Sequence, residues 1–324
     1  MKAVVQDRFG SADVLEFREV PDPVPGDDEV LIQVRAAGCG PDVWHLMTGK
    51  PYFARIMPEF RKMWPRPRGR DAAGVVQAVG ADVTDLRPGD EVLGVVEGSF
   101  ADLAVGKHTK LVRKPTRLSF EEAAAVPISG LTALQALRDV ARLQPGQSVL
   151  VIGAGGGVGS LTIQIAKAMG ASRVTGVCSS GKAELVRSIG ADDTIDYTRE
   201  DMTDGSRRCD VIVDTAGRRP LRRLRRALAS RGTLAIVGGD GGGNWTGGFF
   251  RQMLCAPLLS LVSAQRLRPV ITREEQAGLL ELVDLVESEK VTPIVDRAFA
   301  LPDAAEAIRY LEEGHPAGKV IVRP

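Results

Sequence analysis

The spacing of hydrophobic and polar residues changes period once along the chain. Up to about residue 125, apolar and polar positions alternate in short runs (AVVQ, VLIQVRAAG, AGVVQAVG, DEVLGVV, FADLAVG, KLVRKP), separated by clusters such as PDPVPGDDE and RPGDE. Alternation with period two buries one face of an extended segment, and Pro and Gly interrupt it at turns, so the pattern predicts a mostly antiparallel β domain. From about residue 126 a helical stretch, GLTALQALRDVARL, leads into the apolar run SVLVI. Beyond it, extended runs (RVTGVCS, DVIVDTAG, TLAIVGG) alternate with helical ones (VGSLTIQIAKAMGA, KAELVRSIGA, LRRLRRALAS). That alternation predicts an α/β domain with a doubly wound parallel sheet. Two more helical segments, EEQAGLLELVDLVESEK and PDAAEAIRYLEEG, precede a strand KVIVRP whose expected place is back in the first domain.

A length of 324 residues fits two domains, and 44% hydrophobic with 26% charged residues gives a chain able to bury a sizeable core. Forty-two basic against forty-one acidic residues leave a net charge of +1, too little for long-range steering toward nucleic acid or an anionic membrane. Cys39, Cys178, Cys209 and Cys255 form no C-x-x-C pair, which argues against a disulfide framework or a four-thiolate zinc lobe. The first residues carry charge rather than an apolar signal core, and the longest uncharged apolar stretch, Met253 to Ser263, is too short to span a bilayer. A reduced, cytoplasmic protein is expected.

The candidate chemistry starts at Gly153, where GAGGGVG follows the strand Ser148 to Ile152 and opens a helical segment, Ser160 to Met169. In that context glycines let the backbone turn tightly and approach a pyrophosphate at a positive helix N-terminus, the dinucleotide-binding fingerprint. Gly153, Gly156, Gly157, Val158 and Gly159 are the candidate contacts. The following strand ends VCSSGK, with no acid before Glu184 to bond a ribose hydroxyl. Ser179, Ser180 and Lys182 suit a 2′-phosphate instead, which favours NADPH. Ser180 is equally a candidate cap for a helix beginning near Lys182.

These motifs, with LVRSIGADDTIDYTRED and the ending YLEEGHPAGKVIV, closely resemble the medium-chain dehydrogenase/reductase superfamily, zinc-independent NADPH:quinone oxidoreductase branch. The resemblance implies a GroES-like substrate domain from residues 1–125 and 268–324, a Rossmann dinucleotide-binding domain from 126–267, and an active site in the cleft between them. It also implies that Thr132 lies near the nicotinamide, that Lys182 and Tyr197 contact the 2′-phosphate, and that Lys319 is a weaker cofactor candidate. A homodimer is implied too, paired through a final strand within Leu258 to Gln265. Gly238 opens a Gly-rich segment running to Phe250, either a loop beside the nicotinamide or a surface linker.

Zinc-dependent relatives carry a Cys and a His-Glu pair where this chain has Gly40, with Cys39 one place early, and Gly69-Arg70-Asp71. Arginine does not deprotonate and cannot ligate, so no metal is expected, and a shifted Cys39 and His45 set lacks partners. Without a Lewis acid the natural hydride acceptor is a conjugated one, whose negative charge spreads over an enolate or hydroquinone and needs only a hydrogen-bond donor. His45 aligns with a proton-relay histidine of zinc relatives, Tyr52 lies near a cleft tyrosine of quinone reductases, and Asp42 falls at the relay hydroxyl. Each also has a plain structural reading, as a satisfied, packing or turn residue. The Arg218 to Arg231 run reads as the solvated face of a Rossmann helix whose buried stripe is Leu221, Leu224 and Leu228. The function expected is NADPH-dependent, zinc-free reduction of an enone, enal or quinone. A redox-inactive NADPH-binding protein and a zinc-free NADP-linked alcohol dehydrogenase remain as alternatives.

Overall fold

A computed structural model describes residues 1–56, 67–238, 252, 254–261, 263–314 and 316–324. The chain forms two compact units: Met1–Leu131 with Glu274–Glu287 and Pro293–Pro324, and Thr132–Arg273 with Ser288–Thr292. Among the described residues no helix is long and apolar enough to cross a membrane.

In the first unit β1 (Lys2–Val5) pairs antiparallel with β2 (Glu16–Glu19). The main sheet is built on β3 (Glu29–Cys39), β4 (Asp71–Val79), β5 (Glu91–Val95), β6 (Leu103–Lys107) and β7 (Leu111–Arg113). The first half of β3 alternates, with Val30, Ile32 and Val34 buried while Glu29, Leu31 and Gln33 are partly exposed, and its last residues, Ala36 to Cys39, are all buried. Helix α1 (Pro41–Thr48) follows β3 directly, with Gly40 as its N-cap and Pro41 at its first position, where a missing N–H costs nothing. Helix α2 (Phe120–Ala124) is started by a reciprocal capping box between Ser119 and Glu122, and α3 (Pro127–Gln135) comes next.

The second unit has six parallel strands: β8 (Ser148–Ile152), β9 (Arg173–Cys178), β10 (Asp193–Asp196), β11 (Cys209–Asp214), β12 (Leu228–Ile236) and β13 (Arg266–Pro269). Their order is β10-β9-β8-β11-β12-β13, the doubly wound order whose crevice opens at the carboxyl ends of the strands. Helices α4 (Gly157–Ala168), α5 (Ala183–Ser188) and α6 (Leu221–Leu224) belong to this unit. The chain then returns to the first unit through α7 (Gln276–Glu287), β14 (Val295–Ala300), α8 (Ala304–Glu312) and β15 (Lys319–Arg323). As expected, β15 pairs with β3, Val320 opposite Cys39, which gives the order β14-β15-β3-β4-β5-β7 with β6 also on β3.

Two elements differ from the sequence reading. The final strand is not within Leu258 to Gln265: residues 254–261 are helical, and the strand is Arg266–Pro269, with Leu267 fully buried between exposed Arg266 and Arg268. A short apolar run does not distinguish helix from strand, and arginines disguise an edge strand. The segment LRRLRRALAS is only in part a helix; Leu221, Leu224 and Leu228 are all buried, but the chain turns after Leu224 and Leu228 already opens β12.

Candidate active site

In the second unit β8 ends at Ile152 and Gly153 turns the chain at φ +81°, a left-handed conformation that favours glycine. A Cβ on Gly159 would stand 2.1 Å from the Gly153 carbonyl oxygen, so the turn closes only without a side chain there. Gly156 is the N-cap of α4 and provides no side-chain cap. The first N–H groups of the helix, those of Gly157 and Val158 among them, are thereby left for an anion. Lys182 lies over this turn, since a Cβ on Gly155 would meet its Cδ at 2.7 Å. At the neighbouring strand ends, a Cβ on Gly238 would reach the Thr215 carbonyl oxygen at 2.0 Å. The Thr215 hydroxyl donates to the Ile152 carbonyl at 2.8 Å. Thr215 was not singled out by sequence, because nothing in DTAG marks it. The rest of the Gly238 to Phe250 segment lies outside the described residues.

Ser179, Ser180 and Lys182 follow β9, and Tyr197, half-exposed, follows β10. Ser180 does not cap α5, whose N-cap is Lys182. Its hydroxyl instead donates to Asp196 Oδ2, and Asp196 Oδ1 accepts from the Thr198 N–H at 2.9 Å and hydroxyl at 2.7 Å. The hydrogen bonds from Ser180 and then Thr198 hold the Asp196 carboxyl below its ordinary value. An acid therefore does stand beside the candidate 2′-phosphate residues, delivered by the adjacent strand through the Asp196–Cys178 register. Thr132 is buried and shares a hydrogen bond of 2.8 Å with the Thr272 hydroxyl.

In the first unit α1 carries Asp42 and His45. His45 Nδ1 lies 2.9 Å from the Lys50 carbonyl oxygen. Because a carbonyl only accepts, that nitrogen bears the proton, and Nε2 of the neutral ring is an acceptor; only the imidazolium offers Nε2–H to a substrate. The Trp44 ring fixes the imidazole edge-on at a centroid distance of 5.0 Å. Tyr52 presents its ring to the Arg55 guanidinium at 4.5 Å, and Arg55 is itself tied to the Gly49 carbonyl at 3.0 Å.

Beside these residues lies a buried ion pair. Lys319 Nζ donates to Asp71 Oδ2 at 2.7 Å and to Ser129 Oγ at 3.2 Å, while Asp71 Oδ1 accepts the Ile128 N–H at 2.8 Å. The side chains are 6% and 1% exposed. Burial alone would lower the Lys319 ammonium, but attraction to Asp71 and Asp42 outweighs it and holds it above its ordinary value. Lys319 is thus committed to Asp71 within the first unit rather than presented to a phosphate. A Cβ on Gly40 would sit 2.6 Å from Asp42 Oδ1 and 3.2 Å from Lys319 Nζ, so both charges border the Gly40 position.

The donors here do not fit zinc. Arg70 pairs with Glu274, which Lys110 also binds at 2.8 Å. Asp71 has both oxygens engaged, and burial pushes the Cys39 thiol up to about 12, far from the thiolate a metal requires. Among the described residues there is no group of three or more His, Cys, Asp or Glu able to hold a metal ion.

Two family models cover nearly the whole chain: the alcohol dehydrogenase GroES-like domain matches residues 26–187, and zinc-binding dehydrogenase matches residues 189–322. The chain belongs to the medium-chain dehydrogenase/reductase superfamily. It is 35% identical to the 2-methylene-furan-3-one reductase of Solanum lycopersicum, over 100% of this chain and 79% of that protein. It is also 35% identical to an NADPH-dependent alkenal/one oxidoreductase, chloroplastic, of Arabidopsis thaliana, over 100% of this chain and 80% of that one. Among solved structures the quinone oxidoreductase from Coxiella burnetii superposes with a TM-score of 0.87 at 28% identity, covering 100% of this chain and 99% of its own.

Proposed function

We propose that the protein is an NADPH-dependent, zinc-free reductase of conjugated enones, enals or quinones. The observation that carries the reading is the Asp71–Lys319 pair, which fills the place of the metal-site acid with a closed hydrogen-bonded set. Relatives named as an alkenal/one oxidoreductase and a quinone oxidoreductase support the substrate class and the cofactor. NADPH supplies the hydride when bound. The chain's own work is to seat the pyrophosphate on the Gly153 to Gly159 turn, to orient the acceptor, and to stabilise the oxygen on which charge develops. His45 as imidazolium is the leading donor to that oxygen, Tyr52 the second, and Asp42 contributes only by its charge. Substrate-dependent NADPH oxidation with a conjugated enone and with a quinone tests this. Binding of NADPH without oxidation by either acceptor class would favour a redox-inactive role.

Three further results are expected. Activity persists after prolonged chelation, and metal analysis finds no stoichiometric zinc; one tightly held zinc per chain would overturn the zinc-free assignment. Lys182→Ala weakens NADPH by about 1 to 3 kcal/mol, the range for a lost charge-assisted hydrogen bond, and hardly affects NADH. Asp196→Asn has the opposite sign, improving NADPH affinity by roughly two- to tenfold through removal of a charge repelling the 2′-phosphate. Titration of both coenzymes into both variants measures these effects.

A homodimer belongs to the same proposal, now through β13. This strand pairs with β12 on one side only among the described residues, and Leu254, Leu258 and Leu261 on the helix before it are exposed. An open strand edge beside exposed leucines favours pairing, and a monomeric mass in solution at micromolar concentration would count against it.

A further inference from the structure

The second unit has a cavity at the opposite end of its sheet from the glycine turn. Arg208 precedes β11, Ser230 lies at the start of β12, and Ser263, Ala264 and Gln265 precede β13, so these residues stand at the amino ends of parallel strands. Together with Arg222, Arg225 and Arg226 they line an open concavity of about 380 Å³. Leu221, Leu224 and Ala227 are buried, while Arg222 and Arg226 are exposed and Arg225 is half-buried.

The wall is held in place rather than loosely solvated. Gln265 Nε2 donates to the carbonyls of Arg225 at 3.0 Å and Leu228 at 3.2 Å, and its Oε1 accepts from Arg225 Nε at 2.8 Å. That bond fixes the Arg225 guanidinium through one nitrogen and leaves its terminal fork for another acceptor. Ser263 Oγ accepts from the Gln265 N–H at 3.2 Å. No carboxylate lines the concavity, and Arg208, Arg222 and Arg226 make no ion pair among the described residues. Four arginines thus line one concavity with no carboxylate among the described residues beside them, in a chain whose net charge is only +1.

We propose that this concavity is a binding site for a small anion carrying two or more phosphate groups, separate from the coenzyme site. Guanidinium forks match phosphate oxygens in pairs, and four of them exceed what a single phosphate can engage. Among the described residues no aromatic side chain lines the cavity to stack a base, and the charge is confined to one concavity rather than drawn into a track, which disfavours single-stranded nucleic acid.

The test is calorimetric titration of sodium tripolyphosphate into the full-length protein at low salt, with NADPH saturating so that its own phosphate sites are filled. One tripolyphosphate per chain is expected, with affinity falling as salt rises, and with a higher unfolding temperature as the mutual repulsion of the arginines is relieved. The double variant Arg222→Gln with Arg226→Gln changes two exposed side chains and should weaken tripolyphosphate at least about tenfold, with NADPH affinity unchanged. Absence of binding, displacement by NADPH, or undiminished binding in the variant would each overturn the proposal. So would tight binding of a short single-stranded RNA where tripolyphosphate fails.

Discussion

Lys319→Met is expected to lower stability by about 3 to 5 kcal/mol, the cost of stranding one member of a buried ion pair. Asp71 would keep its bond from the Ile128 N–H but lose the ammonium at 2.7 Å, and at 1% exposure water cannot replace it. The neighbouring Asp42 carboxylate adds repulsion to the abandoned charge. Asp71→Asn combined with Lys319→Met should recover much of the loss, because asparagine still accepts from Ile128 and carries no charge. Urea unfolding followed by tryptophan fluorescence measures both. A loss below about 1 kcal/mol in the single variant, the level of an exposed pair, would show that water reaches the site.

Gly159→Ala should weaken NADPH by at least about 100-fold, equivalent to roughly 2.7 kcal/mol. The added carbon meets the Gly153 carbonyl oxygen at 2.1 Å and the Ala154 Cα at 2.8 Å. Both are backbone, so the turn itself must open, and its N–H groups leave the positions that receive a pyrophosphate. Gly156→Ala is the matched control, since there the nearest atom is the Gly153 carbonyl oxygen at 3.6 Å, an ordinary contact. Equal weakening in the two variants, by fluorescence titration of NADPH, would show that close backbone approach does not govern the site.

What the sequence made legible follows from how local each feature is. Strand, glycine turn and helix from Ser148 to Met169 are contiguous, and their periodicity and φ requirements are written in neighbouring residues. That Arg70 cannot ligate a metal was equally readable, because residue type alone decides it. The buried ion pair was not: Asp71 and Lys319 are 248 positions apart and meet only because β15 returns to the sheet of the first unit. Asp196 escaped for the same reason. Sixteen residues separate it from Ser180, and strand pairing rather than sequence places it there. The β13 edge was mistaken because LLSLVSAQ carries the stronger apolar pattern, while RLRP hides one buried leucine between two arginines. The Asp71–Lys319 and Ser180–Asp196 contacts thus both join segments that are distant in the sequence.

The most direct measurement is the fate of the hydride. Reduction of a conjugated enone with NADPH deuterated at the transferred C4 position should place the label on the β-carbon of the saturated product, because the proposed zinc-free site favours an acceptor that spreads its own charge. Deuterium on the carbonyl carbon, with an allylic alcohol as product, would contradict this and show that the protein reduces C=O instead.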